Sequence, residues 1–164
     1  MPRPKVTIPL TATDKMAEAA GWALVVALWA LAICNLARLP QTIPTHFNAA
    51  GQPDGYGGKY SLLTLPVVAT ILFAGITLLN RYPHIFNYPT EITAENALRQ
   101  YTSATRLLRY LKLTVVLIFF AIAQQTISTA IGGASGLGVW FLPVVLVVLL
   151  GIVVAGIAKM VRAK

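Results

Sequence analysis

The sequence predicts an all-α integral membrane protein with four transmembrane helices and with both termini in the cytoplasm. Three observations carry this prediction: an apolar composition, four long runs without charge, and basic residues confined to alternate segments. Of the 164 residues, 57% are hydrophobic and 11% are charged, whereas about 25% are charged in a typical soluble domain. The mean hydropathy of +0.71 is too high for a soluble fold of this length, which needs a polar surface.

Four apolar runs are each long enough to cross a membrane. A helix needs about 20 apolar residues to span the hydrocarbon layer, and none of the four runs contains Asp, Glu, Lys, Arg or His. Backbone groups inside lipid must bond within their own segment, so each run predicts a helix. The predicted spans are residues 19–37, 61–79, 113–131 and 139–158.

The spans leave two tails and three connections, whose basic residues predict the orientation. Three basic residues lie in the first tail, five in the second connection and three in the last tail, which makes eleven of the 13. Basic residues beside membrane helices stay on the cytoplasmic side. We therefore expect the tails and the second connection inside, and the first connection and the short glycine-rich turn outside. These segments are, in order, residues 1–18, 38–60, 80–112, 132–138 and 159–164.

The second connection predicts a basic amphipathic helix. Pro83 and Pro89 indicate an extended start, and Thr93 is a suitable helix cap. Apolar residues then recur at helical spacing as far as Leu111, and three arginines share another side: Arg99, Arg106 and Arg109. We expect these arginines to contact anionic lipid headgroups, which would account for the net charge of +8 without nucleic acid. The alternative is a docking site for a cytoplasmic partner.

The first connection is rich in residues that stabilise specific turns. Pro40 and Pro44 fix an extended entry, while Asn48–Gly51 and the triplet that starts at Pro53 are turn sequences. A flexible linker would not need this chemistry. We therefore expect a compact cap on the outer ends of the first three spans.

The pattern L-P-x-x-I-P-x-H-F-N-x-x-G-x-x-D-G-Y-G-x-K at residues 39–59 resembles a bacterial membrane domain of unknown function. That domain also forms the N-terminal part of the SdpI immunity and signalling proteins. The resemblance covers residues 21–79 and implies a multi-pass protein of the bacterial cytoplasmic (inner) membrane. It implies that the functional positions of this loop are Pro40, Pro44, His46, Phe47, Asn48, Gly51, Asp54 and Gly55.

Three explanations are open for the polar side chains His46, Asn48 and Asp54. They form a self-bonded turn network, hold a divalent ion, or contact a ligand or partner. Zinc normally takes three or four protein ligands, and only His46 and Asp54 are good ones here. We favour the turn network, and we predict neither a metal site nor a cofactor.

Polar residues also occur within the predicted spans. Seven of them lie toward the outer side: Asn35, Thr64, Thr70, Gln124, Gln125, Thr126 and Ser128. Such groups in lipid usually bond between helices, which we favour. The alternative is an outward-facing polar pocket beneath the cap.

No sequence feature supplies a catalytic nucleophile or base. HExxH, GxSxG and phosphate-loop motifs are absent from the sequence, so we predict no enzyme. The single Cys34 excludes an internal disulfide, and we expect a buried thiol, with lipidation as the alternative. A coupled carrier generally needs an ionisable residue at membrane depth, and the predicted spans have none.

The predicted function is therefore that of a non-enzymatic sensing or binding module, or a subunit of an envelope assembly. The alternatives are a small uncoupled transporter and a toxin-immunity protein. Expected partners are membrane lipids with anionic headgroups, and a membrane-protein partner or a second copy of the chain.

Overall fold

The computed structural model describes residues 3–162, so the ends of the two predicted tails, residues 1–2 and 163–164, lie outside the described part. Within that part the chain is mostly helical, and four helices are long and apolar enough to cross a membrane. This confirms the predicted number of long apolar helices. The helices are α1 (Ala12–Asn35), α2 (Thr64–Leu79), α3 (Ala97–Ala130) and α4 (Phe141–Arg162).

Helices α1, α2 and α3 enclose the core, and α4 lies on the outside against α3. Leu28 of α1, Phe73 of α2 and Val116 of α3 are almost fully buried in that core. In contrast, the apolar stretch of α4 contains no buried residue. A helix that exposes apolar side chains all round is suited to lipid.

The bundle has two ends with different chemistry. We call the end where α1 and α3 begin the basic end, and the opposite one the hairpin end. At the basic end the Gln100 side chain of α3 donates to the Met160 carbonyl of α4 (2.9 Å). At the hairpin end the backbone amide of Leu137, in the α3–α4 connection, donates to the Gly51 carbonyl (2.7 Å).

Two helices begin earlier than the predicted spans. Helix α1 begins at Ala12 because Thr11 and Asp14 form a reciprocal capping box, with bonds of 3.0 and 3.3 Å. Helix α3 runs unbroken for 34 residues from Ala97, so the predicted surface helix and third span are one element. Its length of about 51 Å exceeds the roughly 30 Å of the hydrocarbon layer.

The stretch that follows α2 is predicted to be extended, but it contains a single 3₁₀ turn, Pro83–Ile85. The prediction is wrong here because proline is tolerated in the first turn of a helix, where its missing donor costs little.

Burial raises the pKa of the Tyr88 hydroxyl, which stays neutral and donates to the Pro83 carbonyl (2.8 Å). The Tyr101 hydroxyl likewise donates to the Pro4 carbonyl (3.0 Å), which holds the N-terminal stretch on the basic end.

The first connection forms a β-hairpin, so the predicted all-α class is wrong in this detail. Strand β1 (Thr42–Phe47) pairs antiparallel with β2 (Pro53–Gly58). Ile43 lies opposite Gly57, and the pairing becomes irregular between Pro44 and Phe47. A 3₁₀ turn over residues 59–63 then leads into α2.

Candidate functional site

The hairpin turn is held by its own side chains. The Asn48 Oδ1 atom accepts from the backbone amides of Ala50 (2.9 Å) and Gln52 (3.1 Å). Gly51 has φ +75°, a left-handed conformation that residues with a Cβ rarely adopt. His46 Nδ1 contacts Asp54 Oδ1 across the two strands. The three polar side chains of the motif thus make two separate sets of contacts within the hairpin: Asn48 holds the turn, and His46 and Asp54 join the two strands.

The hairpin is fixed to the helices by apolar burial and by a chain of backbone contacts. Ile43 is 1% exposed and belongs to the core. The Gly136 carbonyl accepts from the Gln125 side chain of α3 (2.6 Å), and the neighbouring Leu137 amide holds the Gly51 carbonyl. A Cβ on Gly136 would collide with the Gly51 carbonyl oxygen. The close approach of the two loops therefore requires glycine at this position.

The outer side of the hairpin is open. Tyr56 is 62% exposed, and the side chains of His46 and Asp54 are 72% and 43% exposed. Pro44 and Gly51 are buried, Phe47 and Gly55 are half-buried, and Pro40 and Asn48 are exposed. Some positions of the motif therefore fix the hairpin against the helices, and the others expose their side chains on its surface.

A cavity of about 230 Å³ lies beneath the hairpin, lined mainly by apolar side chains such as Ile43, Leu65 and Ile122. Of the seven polar residues for which a shared pocket is the alternative explanation, Thr64 and Thr126 line it. The Asn35 side chain instead donates to the Leu31 carbonyl of its own helix (2.8 Å).

The remaining polar residues of α3 are spread over different surroundings. Gln125 holds the α3–α4 connection, Gln124 is exposed and Ser128 is half-buried. Two of the seven polar residues therefore line the cavity beneath the hairpin, while Asn35, Gln124, Gln125 and Ser128 lie elsewhere. Cys34 is exposed on α1 rather than buried as expected.

A cluster of buried charges lies at the basic end, and we did not predict it from the sequence. We call it the charge cluster; it comprises Asp14, Glu18, Arg106, Arg109 and Lys112. Asp14, only 3% exposed, pairs with Arg106 and Arg109 at 3.1 Å each. Arg109 and Lys112 both pair with Glu18, at 2.9 and 2.6 Å.

Lys112 extends the charge cluster to a third helix. Its side chain is 1% exposed, its ammonium lies 4.2 Å from the centre of the Phe73 ring, and it also bonds to Thr77 of α2. A buried charge costs several kcal/mol unless it is paired. The pairing therefore requires α1, α2 and α3 to meet in one arrangement at this end.

The charge cluster revises the predicted lipid contacts of α3. Arg109 is buried and paired with Asp14 and Glu18, and Arg106 is bonded to Asp14 but stays 29% exposed, so carboxylates of α1 take up contacts that were predicted for lipid headgroups. Arg99 remains exposed. The signal in the sequence was the matched spacing: Asp14 and Glu18 are four residues apart, and the basic residues of α3 recur every three. Each set therefore lies along one side of its own helix, the acidic residues on α1 and the basic residues on α3.

Comparisons with known proteins identify a related segment. Residues 23–70 match the model of a family described as a domain of unknown function, DUF1648. This segment contains the second half of α1, the whole hairpin and the start of α2. No solved structure matches the chain.

An uncharacterised protein of the archaeon Archaeoglobus fulgidus is 39% identical over 89 residues. The match covers 49% of this chain and 49% of that protein, so the chain spans about half the length of this relative. Neither comparison carries an assigned activity. Over residues 23–70, the chain is therefore similar to the DUF1648 family, whose function is unknown.

Proposed function

We propose that this protein is a non-enzymatic membrane module that presents its hairpin as a binding or sensing surface on the outer side of the membrane. One observation carries the proposal: the hairpin is fixed to the bundle through Ile43 and Gly51, yet it exposes Tyr56, His46 and Asp54. Binding residues are commonly found on connections that a rigid scaffold holds in place.

The distribution of charge supports an outward-facing hairpin. Eleven of the 13 basic residues fall within residues 1–18, 80–112 and 159–164, segments that include the beginnings of α1 and α3 and the end of α4 at the basic end. The hairpin lies at the other end. Because basic residues beside spans favour the cytoplasmic side, the hairpin would face outward, and a bacterial inner membrane stays a prediction.

A polypeptide is the ligand class that the hairpin suits best. Tyr56 and Tyr60 are 62% and 68% exposed, and tyrosine is enriched in protein interfaces. A two-stranded sheet also leaves one edge of each strand without a β partner, and an extended peptide can add to such an edge. An envelope protein and a secreted toxin both satisfy this description, so an SdpI-like immunity role is the second candidate.

Site-specific photocrosslinking in living cells tests the proposal. A photoreactive amino acid at Tyr56 should give a discrete crosslinked product with another polypeptide. The matched control is the same amino acid at Val147, which is 71% exposed on α4 and should contact lipid. Absence of a product at Tyr56, or the same products at both positions, would refute a hairpin-directed binding function.

A further inference from the structure

A groove at the basic end runs between the beginning of α3 and the end of α4. It consists of two adjoining cavities of about 520 Å³ each, which share Ser103, Arg106 and Lys159 as lining residues. It lies at the opposite end of the bundle from the hairpin, so it is independent of the function proposed above.

The mouth of the groove is basic. Arg99, Arg106 and Lys159 line it, and Glu95 is the acidic residue among its lining side chains. Arg106 also keeps its bond to Asp14 at 3.1 Å, which balances one of the three positive charges. The carboxylates of Glu95 and Asp14 balance two of the three positive charges, so the mouth of the groove keeps a net positive charge. The Ser103 hydroxyl adds a hydrogen-bond donor.

The deeper part of the groove is apolar. Leu107 and Leu113 of α3 face Ile152 and Ala155 of α4 across it. Small residues on α4, Ala155 and Gly156, leave the space for this part of the groove. Leu107 packs so closely against Gly156 that a Cβ at that position would collide with the Leu107 side chain. The groove therefore continues from a charged mouth into an apolar trough between two helices that are long and apolar enough to cross a membrane.

We infer that this groove binds one anionic phospholipid. The phosphate lies among Arg106, Lys159 and Ser103, and an acyl chain follows the trough past Leu113 and Ile152. A soluble phosphate compound would satisfy the mouth alone and leave the trough uncovered, whereas a lipid fills both parts. Charge complementarity at the mouth and the apolar trough together select the lipid.

Native mass spectrometry of the purified full-length chain tests this inference. The protein is delipidated in a neutral detergent and titrated with phosphatidylglycerol, with phosphatidylcholine or with inorganic phosphate. We expect one phosphatidylglycerol to bind in preference to phosphatidylcholine, and phosphate not to displace it. Equal binding of both lipids, or displacement by inorganic phosphate at comparable concentration, would overturn the lipid assignment.

Two variants locate the bound lipid, each with a matched control. Lys159→Gln should weaken phosphatidylglycerol binding about fivefold, the equivalent of about 1 kcal/mol for one basic residue near an anionic headgroup. Arg162→Gln removes the same charge one turn away, outside the groove, and should have little effect.

Ala155→Phe fills the trough and should abolish the preference for phosphatidylglycerol over phosphatidylcholine, whereas Val154→Phe on the exposed side of α4 should not. If both members of each pair behave alike, the lipid does not occupy this groove.

Discussion

Asp14→Asn is the sharpest perturbation of the charge cluster. The substitution keeps the size of the side chain and leaves one oxygen that can accept from the Thr11 backbone amide in the capping box, but it removes the charge. Loss of one partner from a buried pair costs about 3–5 kcal/mol. Arg109 keeps Glu18 at 2.9 Å, and Arg106 is 29% exposed and can turn toward water. We therefore expect the lower end of that range, about 3 kcal/mol.

Equilibrium unfolding in mixed micelles, driven by increasing sodium dodecyl sulfate, measures this loss. Tryptophan fluorescence is a suitable signal, because the Trp22 ring packs against Phe73 at 4.9 Å and Trp29 donates to Thr70 at 3.0 Å. Both contacts join α1 to α2 and break when the helices separate. The control is Glu91→Gln, which neutralises an exposed carboxylate and should change the free energy of unfolding by less than about 0.5 kcal/mol.

A second substitution separates lost pairing from general damage. Arg109→Gln added to Asp14→Asn removes a buried cation that has already lost one of its two carboxylate partners, so the double variant should be more stable than the sum of the single effects predicts by at least about 1 kcal/mol. An Asp14→Asn effect below about 1 kcal/mol, or strict additivity, would refute the view that these buried charges depend on one another.

The remaining predictions concern topology and the hairpin. A reporter fused after Lys164 should be active only in the cytoplasm and one inserted near Gln52 only outside; the reverse pattern would overturn the orientation. Asn48→Ala removes two bonds to backbone amides worth about 1 kcal/mol each, so amide hydrogen exchange in the hairpin should accelerate at least fivefold, and unprotected exchange in the unmodified protein would contradict an ordered cap. Gly51→Ala places a Cβ at φ +75° and against Gly138, so it should release the hairpin from the α3–α4 connection, whereas Gly58→Ala, with open space around it, should leave exchange unchanged.

The membrane-spanning elements follow from local sequence. Each apolar run is about as long, as a helix, as the hydrocarbon layer is thick and lacks charge, so its position depends on length and composition alone. The compact first connection is also local, because the Asn48 side chain and Gly51 specify a turn within five residues. The turn residues do not specify that the flanking segments pair as β-strands. These strands contain Pro44 and three glycines, which have little β propensity. The two-stranded sheet was missed for that reason.

The packing of the helices against one another, unlike their positions in the chain, does not follow from local sequence. In lipid a helix is apolar on both its packed and its exposed faces, so periodicity does not reveal that α1, α2 and α3 form the core while α4 stays outside. For the same reason the sequence did not show whether the polar residues of α3 converge or disperse. The groove between α3 and α4 depends on which faces meet.

By itself, the sequence determined four long apolar helices, an ordered first connection and a strongly basic set of segments. Only the tertiary structure decided where the charges go. Arg109 and Lys112 are basic residues beside a span, and local reasoning sends such residues to lipid headgroups. Carboxylates of α1, more than 90 residues away in the chain, reach them only when the helices assemble. A buried ion pair needs both partners in place at once, and that is a property of the fold.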